Sequence, residues 1–225
     1  MALSLYFHPL ASFCHKVLIA LYENQTPFKG LLVDKLNVEE NARFLEVWQV
    51  GKMPVLCDET ANKVIPESSI IVEYLEQHYP GARPLLPVDP DQRLEARLWD
   101  RFYDLYVQAP MQKIVIDRLR PEGSQDPQGV AEARAILKTA YPMIEKQLSD
   151  KTWACGEFFS LADCAAIPAL FYADCVEPFS KTYPHAAAYF ERLLARPSVK
   201  RVIAEAQPYF PNFPFYAAMP ERFRK

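Results

Sequence analysis

The hydrophobic periodicity of the chain changes once, near residue 80, and this change limits the folds open to it. Before that point, short apolar segments of strand length alternate with segments whose apolar residues recur at helical spacing. After it, helical spacing continues alone. The residues between, 80–91 (PGARPLLPVDPD), hold four prolines and one glycine, which is typical of a stiff surface linker. The sequence therefore predicts a mixed α/β unit followed by an all-helical unit.

The first unit, residues 1–80, is predicted to follow the order β-α-β-α-β-β-α. Its strands are expected at residues 3–7, 28–33, 54–57 and 63–65, and its helices at 12–23, 39–47 and 68–79. This order indicates a small mixed sheet with helices packed against it. The second unit is expected to contain only helices, at residues 92–119, 128–149, 160–176, 184–195 and 198–205.

Two prolines and one short motif bear on the shape of the helical unit. Pro110 and Pro142 predict bends, because proline lacks the N–H of a regular helix and its ring crowds the preceding turn. Ser160 followed by Asp163 has the form of a capping box, with a hydroxyl at the N-cap and a carboxylate three residues later. We interpret that box as structural.

The glycines and the charge balance exclude several kinds of site. The chain has only six glycines, and they are too far apart to build a GxGxxG segment or a P-loop. With 25 basic and 28 acidic residues, the net charge is −3. That charge gives no electrostatic footprint for nucleic acid, so no nucleic-acid partner is expected.

The cysteines, histidines and apolar runs favour a cytoplasmic protein without a metal centre. Five cysteines form an odd count without CxxC spacing, which argues against a disulfide framework in a chain of this length. The four histidines are widely spread, and none has the spacing of a helical metal site. No apolar run approaches the ~20 residues that span a bilayer, and the start has no basic segment with a cleavage site. We therefore expect no metal, no membrane partner and a cytoplasmic location.

The turn from the first strand to the first helix, residues 8–14 (HPLASFC), is the first of three candidate ligand-binding segments. Ser12 stands where the helix is expected to begin, and serine favours the N-cap position. Alternatively, its hydroxyl donates to an anion held at the positive end of that helix. Cys14 lies in the first turn, where the same field would lower the pKa of its thiol.

The second segment is GKMPV, in which Pro54 precedes an apolar strand. A proline at that position removes a ladder donor but allows a tight bend, so Met53–Pro54 is a candidate cis peptide bond. An ordinary trans proline on an edge strand is the alternative. A cis bond would turn the backbone of Met53 outward, where it can pair with an extended, peptide-like ligand.

The third segment is IPESS, directly before a predicted helix. Ser68 can cap that helix, and the backbone N–H groups of Ser68 and Ser69 can form an anion-binding nest. Glu67 adds an acceptor beside these donors. A carboxylate and an ammonium can bind there together, as the head of an amino acid requires; simple capping is the alternative.

Together these segments resemble the glutathione S-transferase family, in particular bacterial-type members with a serine in the active site. The resemblance covers nearly the whole chain and is carried by HPLASFCHKVLIALYE, GKMPVL, PESSIIVEYLEQHYP, LLPVDPDQR and the later SLAD. It implies a thioredoxin-like N-terminal domain over 1–80, a linker over 81–91 and a helical domain over 92–225. It also implies glutathione as a co-substrate, a small-molecule electrophile as the second substrate, and a homodimer.

The resemblance assigns a role to each segment. Ser12 resembles the serine that stabilises the glutathione thiolate. Met53, before the expected cis Pro54, resembles the residue whose backbone pairs with the cysteinyl part of glutathione. Glu67 and Ser68 resemble the pair that binds the γ-glutamyl head.

The residue that binds the glycyl carboxylate is left open. Lys52 resembles the polar side chain that reaches this end of glutathione, and Lys35 and Asn37 are alternatives. The positions at which relatives usually carry a basic or amide side chain are Glu39 and Glu40, which would repel a carboxylate.

The electrophile is expected to bind beside the first long helix of the helical domain. Its candidate walls are Tyr103, Tyr106, Val107 and Met111, for which burial in the core is the alternative. The aromatic segment 209–216 is a candidate lid.

Two other functions remain open on the sequence. A Cys14 thiol of low pKa would form a mixed disulfide with glutathione and act as a thiol transferase or disulfide reductase. The chain would otherwise be a non-catalytic interaction module with the same fold.

Overall fold

The computed structural model describes residues 2–224, and its first unit is built on a four-stranded sheet. The strands are β1 (Leu3–Phe7), β2 (Lys29–Leu32), β3 (Val55–Asp58) and β4 (Lys63–Pro66), in the spatial order β2-β1-β3-β4. β1 pairs parallel with β2, whereas β1–β3 and β3–β4 are antiparallel. The helices of this unit are α1 (Ser12–Glu23), α2 (Val38–Val47) and α3 (Ser68–His78). The predicted order β-α-β-α-β-β-α is confirmed.

Helices alone follow β4 in the part of the chain that the structure describes, apart from an isolated bridge between Trp153 and Gly156. Residues 79–89, in the proline-rich segment, form neither helix nor strand. The α-helices are α4 (Pro90–Phe102), α5 (Ala109–Arg118), α6 (Pro127–Gln147), α7 (Leu161–Val176), α8 (Pro184–Leu194), α9 (Pro197–Ala206) and α10 (Glu221–Arg224). The prediction of an α/β unit followed by an all-helical unit is therefore confirmed.

Helix α1 lies between the sheet and the helical unit. Its side chains from Cys14 to Leu21 are all buried, and the helix packs against α3 on one side and against α7 and α9 on the other. A helix covered on several sides needs apolar residues around its circumference, as its sequence SFCHKVLIALYE has. The start of α1 is therefore placed where the two units meet.

The long helix predicted over 92–119 changes its hydrogen-bond pattern in the middle. α4 passes into a π-helical segment, Tyr103–Gln108, which passes directly into α5. Pro110 lies at the start of α5, where its missing N–H interrupts the regular ladder. The π-helical segment lies just before Pro110, the residue at which a bend is expected.

The motif at the start of α7 is structural, as predicted. Ser160 and Asp163 form a capping box. The Asp163 carboxylate also accepts hydrogen bonds from the Ala154 N–H at 2.9 Å and the Tyr189 hydroxyl at 2.7 Å. Burial raises the pKa of Asp163, and these bonds partly offset that cost.

The C-terminal segment packs into the helical unit. It forms 3₁₀ turns over Gln207–Asn212 and Tyr216–Ala218. Phe210 and Met219 are buried, and the Phe210 ring stacks on Phe171 at 5.7 Å. These contacts hold the aromatic segment 209–216 in place as part of the domain.

Candidate active site

Ser12 is the first residue of α1 and faces the helical unit. The N-cap is Ala11, whose side chain makes no capping hydrogen bond, so the interpretation of Ser12 as the N-cap is wrong. The Ser12 side chain is 4% exposed. Its Oγ accepts hydrogen bonds from the side-chain amides of Gln108 and, at 3.5 Å, Gln112. The Cys14 N–H bonds to the Ala11 carbonyl, whereas the N–H groups of Ser12 and Phe13 have no partner among the described residues and remain open to an anion.

Two histidines hold the turn that precedes Ser12. His8 Nδ1 accepts from the Leu10 N–H at 3.1 Å, and His15 Nε2 donates to the Pro9 carbonyl at 2.5 Å. Burial lowers the pKa of both rings, that of His15 to about 4. Both histidines are therefore neutral at pH 7, and the turn is fixed by neutral hydrogen bonds.

Cys14 does not have the acidified thiol that its position in the first helical turn suggested. Its side chain is 0% exposed, and burial raises the pKa of the thiol to about 12. A hydrogen bond to the backbone of His8 and the charge of Lys35 act in the opposite direction but are outweighed. The expected low pKa is wrong because desolvation of a thiolate costs more than the helix N-terminus returns.

The Met53–Pro54 peptide bond is cis, as predicted. Within residues 2–224, the Met53 backbone makes no hydrogen bond, so its N–H and C=O are open to a ligand. Lys35 Nζ donates to the Gly51 carbonyl at 2.6 Å, which places Lys35 beside this loop. Lys52 is exposed on the same loop. Two lysines thus lie next to the backbone that would pair with an extended ligand.

Asn37 is engaged elsewhere. Its side chain caps α2 by accepting from the N–H groups of Glu39 and Glu40, at 3.1 and 3.2 Å. Lys35, Lys52 and Asn37 are the candidates for binding the glycyl carboxylate. Lys35 and Lys52 remain, because each has an ammonium group beside the Met53 loop.

The start of α3 has an unusual backbone at Glu67. Glu67 is the N-cap residue, with φ +68° and ψ 116°. Residues other than glycine rarely adopt this backbone conformation. Ser68 is the first helical residue, so the expectation that it caps α3 is wrong. No side chain caps this helix, which leaves the N–H groups of Ser68 and Ser69 open. The exposed Glu67 carboxylate lies beside these donors.

A buried charge network lies directly behind this segment, and the sequence analysis missed it. Ser69 Oγ accepts from Lys16 Nζ at 2.8 Å and donates to Asp100 at 2.7 Å. Lys16 is ion-paired with Asp100 and, at 2.9 Å, with Asp104, which also pairs with Arg101. Burial raises the pKa of Asp100. The visible signal was a lysine within the largely apolar and buried stretch Cys14–Leu21 of α1. The network joins α1 and α3 to the helical unit.

A cleft of about 220 Å³ opens beside Ser12. Three parts of the chain form it: the turn at Leu10–Ser12, helix α5 with the following Leu119, and the segment Asn212–Pro214, with Tyr172 from α7. Its walls are mainly apolar, and the Ser12 and Gln112 side chains supply polar groups at one end. The aromatic segment, predicted as a lid, supplies one wall.

Of the four side chains predicted to form the electrophile pocket, only Met111 lines this cleft. Tyr103 and Val107 are completely buried in the core. Tyr106 faces a separate groove of about 480 Å³ against α6. All three residues lie in the π-helical segment, whose wider turn the helical spacing of the sequence did not predict. No local sequence pattern indicated that Gln108, Gln112 and Tyr172 lie beside Ser12 or its cleft.

Within residues 2–224, no three His, Cys, Asp or Glu side chains are grouped so as to hold a metal ion. No helix in the same range has the length and apolar character needed to span a bilayer.

Comparisons with known proteins agree with this geometry. The model of the glutathione S-transferase N-terminal domain matches residues 5–83, and that of the C-terminal domain matches residues 102–197. Glutathione S-transferase U25 of Arabidopsis thaliana is 30% identical over 193 residues, which cover 79% of this chain and 83% of the relative. A glutathione S-transferase of Pseudomonas putida is 26% identical over 217 residues, or 94% of this chain and 96% of the relative.

A solved structure is also similar. The glutathione S-transferase of Methylobacillus flagellatus, crystallised with glutathione bound, superposes with a TM-score of 0.81 at 25% identity and covers 89% of this chain and 98% of its own. The fold consists of an α/β unit followed by a helical unit, and residues of both units line the cleft beside Ser12. The chain belongs to the glutathione S-transferase family.

Proposed function

We propose that this protein is a glutathione transferase in which Ser12 activates the glutathione thiol for attack on a small hydrophobic electrophile. The observation that carries the proposal is the position of Ser12, at the uncapped start of α1 and on the wall of the cleft between the two units. Relatives named as glutathione S-transferases, one of them solved with glutathione bound, support it.

Glutathione would bind along the edge formed by the α/β unit. The Glu67 carboxylate would accept from the γ-glutamyl ammonium, and the Ser68 and Ser69 N–H groups would bind the γ-glutamyl carboxylate. The Met53 backbone, beside cis Pro54, would pair with the cysteinyl residue. Lys35 and Lys52 stand nearby to bind the glycyl carboxylate.

The Ser12 hydroxyl and the N-terminus of α1 can together supply the free energy needed to lower the pKa of the glutathione thiol. A free thiol has a pKa of about 8.5, and lowering it by about two units requires ~2.7 kcal/mol of preferential stabilisation of the thiolate. A hydrogen bond to a charged group contributes ~1.5–3 kcal/mol, and a helix N-terminus adds ~0.3–1 kcal/mol. The Ser12 hydroxyl would donate to the thiolate, which then forms a bond to the electrophilic carbon as the leaving group departs with its electron pair.

The second substrate would occupy the cleft beside Ser12. Met111, Val115 and Phe213 provide apolar walls, and the volume of about 220 Å³, below the ~300–1,000 Å³ of typical ligand pockets, restricts the second substrate to a small molecule. The buried Cys14 thiol is unsuited to the thiol transferase alternative, because its pKa is about 12.

Calorimetric titration with glutathione, combined with a conjugation assay, tests the proposal. Wild type should bind glutathione and turn over; Glu67→Ala should bind more weakly; Ser12→Ala should bind but lose turnover. Cys14→Ser and the distant Ser180→Ala should keep both properties. If wild type gives neither heat nor protection from thermal unfolding, the transferase proposal fails and a non-catalytic module with this fold is favoured.

We also propose that the protein is a homodimer. The groove between the π-helical segment and α6 is apolar, and its residue Tyr106 is 51% exposed. On the α/β unit, Val64 of β4 and Ile70 of α3 are exposed apolar side chains. A twofold axis would place apolar side chains of the α/β unit of each copy in the groove of the other. The five free thiols favour a reducing compartment, so the proposed location is the cytoplasm.

A further inference from the structure

We infer that Gln108 and Gln112 are positioning residues that aim the Ser12 hydroxyl at the glutathione thiolate. This inference rests on the proposed role of Ser12. Both glutamines belong to the helical unit and both donate a side-chain N–H to Ser12 Oγ. The α/β unit thus supplies the hydroxyl, and the helical unit sets its direction.

The two glutamines reach Ser12 because of the π-helical segment. Gln108 is its last residue, and Gln112 follows one turn later in α5. Residues four apart on a helix lie on the same face, so the two amides converge on one point. π-helical turns often occur at functional sites. Here the turn coincides with the placement of Tyr103 and Val107 in the core and of Gln108 against the start of α1.

The hydrogen-bonding capacity of the Ser12 hydroxyl explains what the two glutamines can do. Serine has one O–H donor and two acceptor lone pairs. When two amide N–H groups occupy both lone pairs, the proton of Ser12 is left for a third partner. Accepting two hydrogen bonds also polarises the O–H group and strengthens its own donation. The bound thiolate is then the acceptor of the one hydrogen bond that Ser12 can still donate.

The reverse orientation of Gln108 would have the opposite effect. Its Oε1 would then accept the Ser12 proton and leave none for the thiolate. Gln112 approaches Ser12 through its own Nε2 at 3.5 Å, consistent with Ser12 as an acceptor. The two orientations therefore predict thiol pKa changes of opposite sign when Gln108 is removed.

The hydrogen bonding of Gln108 is unlike that of a purely structural glutamine. The side chain is 1% exposed, yet its Oε1 has no hydrogen-bond partner among the described residues. Buried polar atoms are nearly always paired, and exceptions concentrate at functional sites. By contrast, the Gln147 amide donates to both Glu95 and the Ala154 carbonyl, away from the cleft. Gln147 is therefore a suitable control.

The test compares Gln108→Met, Gln112→Met and the control Gln147→Met with wild type and Ser12→Ala. Three properties are measured: glutathione Kd by calorimetry, the pKa of bound glutathione from the ultraviolet absorbance of its thiolate, and the pH profile of kcat/KM. For Gln108→Met we expect a thiol pKa higher by about one unit, the size of one lost hydrogen bond. The rate below that pKa should fall about tenfold and recover at high pH, with Kd changed less than about threefold. Gln112→Met should show a smaller shift in the same direction.

The outcomes separate this inference from the proposed function. If wild type does not bind glutathione, the transferase proposal fails and this inference fails with it. If Ser12→Ala raises the thiol pKa but neither glutamine variant does, only the role of the glutamines is wrong. A lower thiol pKa in Gln108→Met would establish the reverse amide orientation and overturn the inference. Thermal unfolding of each variant shows whether it is folded, and Gln112→Met, which alters a less buried residue, keeps the test decisive if Gln108→Met does not fold.

Discussion

The ammonium group of Lys16 lies 2.9 Å from the Asp104 carboxylate although both side chains are almost fully buried. Lys16 belongs to the α/β unit and Asp104 to the helical unit, and Ser69 and Asp100 complete the network. Removing one partner of a buried pair leaves an uncompensated charge, which typically costs ~3–5 kcal/mol. The two units are therefore joined by charge as well as by apolar packing.

We expect Lys16→Met to lower the free energy of unfolding by ~3–5 kcal/mol, because two buried carboxylates lose their shared cation. The measurement is urea unfolding followed by circular dichroism. Lys146→Met, at an exposed position on α6, is the matched control and should change stability by less than ~0.5 kcal/mol. A loss below ~1 kcal/mol for Lys16→Met would show that the network contributes little.

The buried His15 should make the protein less stable in mild acid. Its pKa is about 4 in the folded state, where burial outweighs the Pro9 carbonyl and Glu205, and about 6.5 when unfolded. Between these values the unfolded chain binds more protons. Stability is therefore complete above about pH 6.5 and falls as the pH approaches 4, by up to ~3 kcal/mol.

Urea unfolding between about pH 7 and pH 5 measures this effect. His15→Gln should reduce the slope of stability against pH. Equal slopes in wild type and His15→Gln would contradict the assignment.

Replacing Glu67 by glycine should stabilise the fold and weaken glutathione binding. Holding a residue other than glycine at positive φ destabilises the folded state by ~1–3 kcal/mol. Glycine removes this strain, but its greater freedom in the unfolded chain offsets ~0.5–1 kcal/mol of the stabilisation. We expect Glu67→Gly to be more stable by ~1 kcal/mol yet to bind glutathione more weakly, as calorimetry would show. Asn62→Gly, at φ +50°, is the control and should be stabilised without loss of affinity. Weaker binding in both variants would contradict a local role for Glu67.

The five thiols should differ in reactivity. Cys57 is half-buried, whereas Cys14 and the other three are buried. A thiol-specific reagent at neutral pH should modify Cys57 first and Cys14 only on unfolding, because the Cys14 pKa is about 12. Mass spectrometry of the labelled peptides identifies the site, and Cys57→Ala removes the fast phase. Rapid labelling of Cys14 in the native protein would contradict the raised pKa of this thiol.

A charge placed in the apolar groove should separate the proposed dimer. Tyr106→Glu puts a carboxylate where the second copy would pack, and burying it unpaired is costly. Light scattering should give twice the 25.8 kDa chain mass for wild type and one chain mass for the variant. Val88→Glu, at an exposed site in the proline-rich segment, should stay dimeric. A wild-type monomer would remove the homodimer from the proposal.

Features that depend on near neighbours in the chain were accessible from the sequence. The bounds of β1 and α1, Leu3–Phe7 and Ser12–Glu23, agree with prediction because alternation and helical spacing are local patterns. The cis bond at Pro54 and the capping box at Ser160 were likewise visible in a few residues. Local hydrogen bonding and backbone preference are properties of short segments, so a short segment reveals them.

The properties of the site residues were decided by tertiary structure. The same first turn of α1 suggested an acidic Cys14, but packing against distant helices desolvates that thiol and raises its pKa. The partners of Ser12 are 96 and 100 residues away, and a change in helical pattern places them. Desolvation and side-chain pairing depend on what the rest of the chain brings into contact. The sequence by itself determined the two units and the strand and helix starts that form the site, while folding decided which side chains there can act.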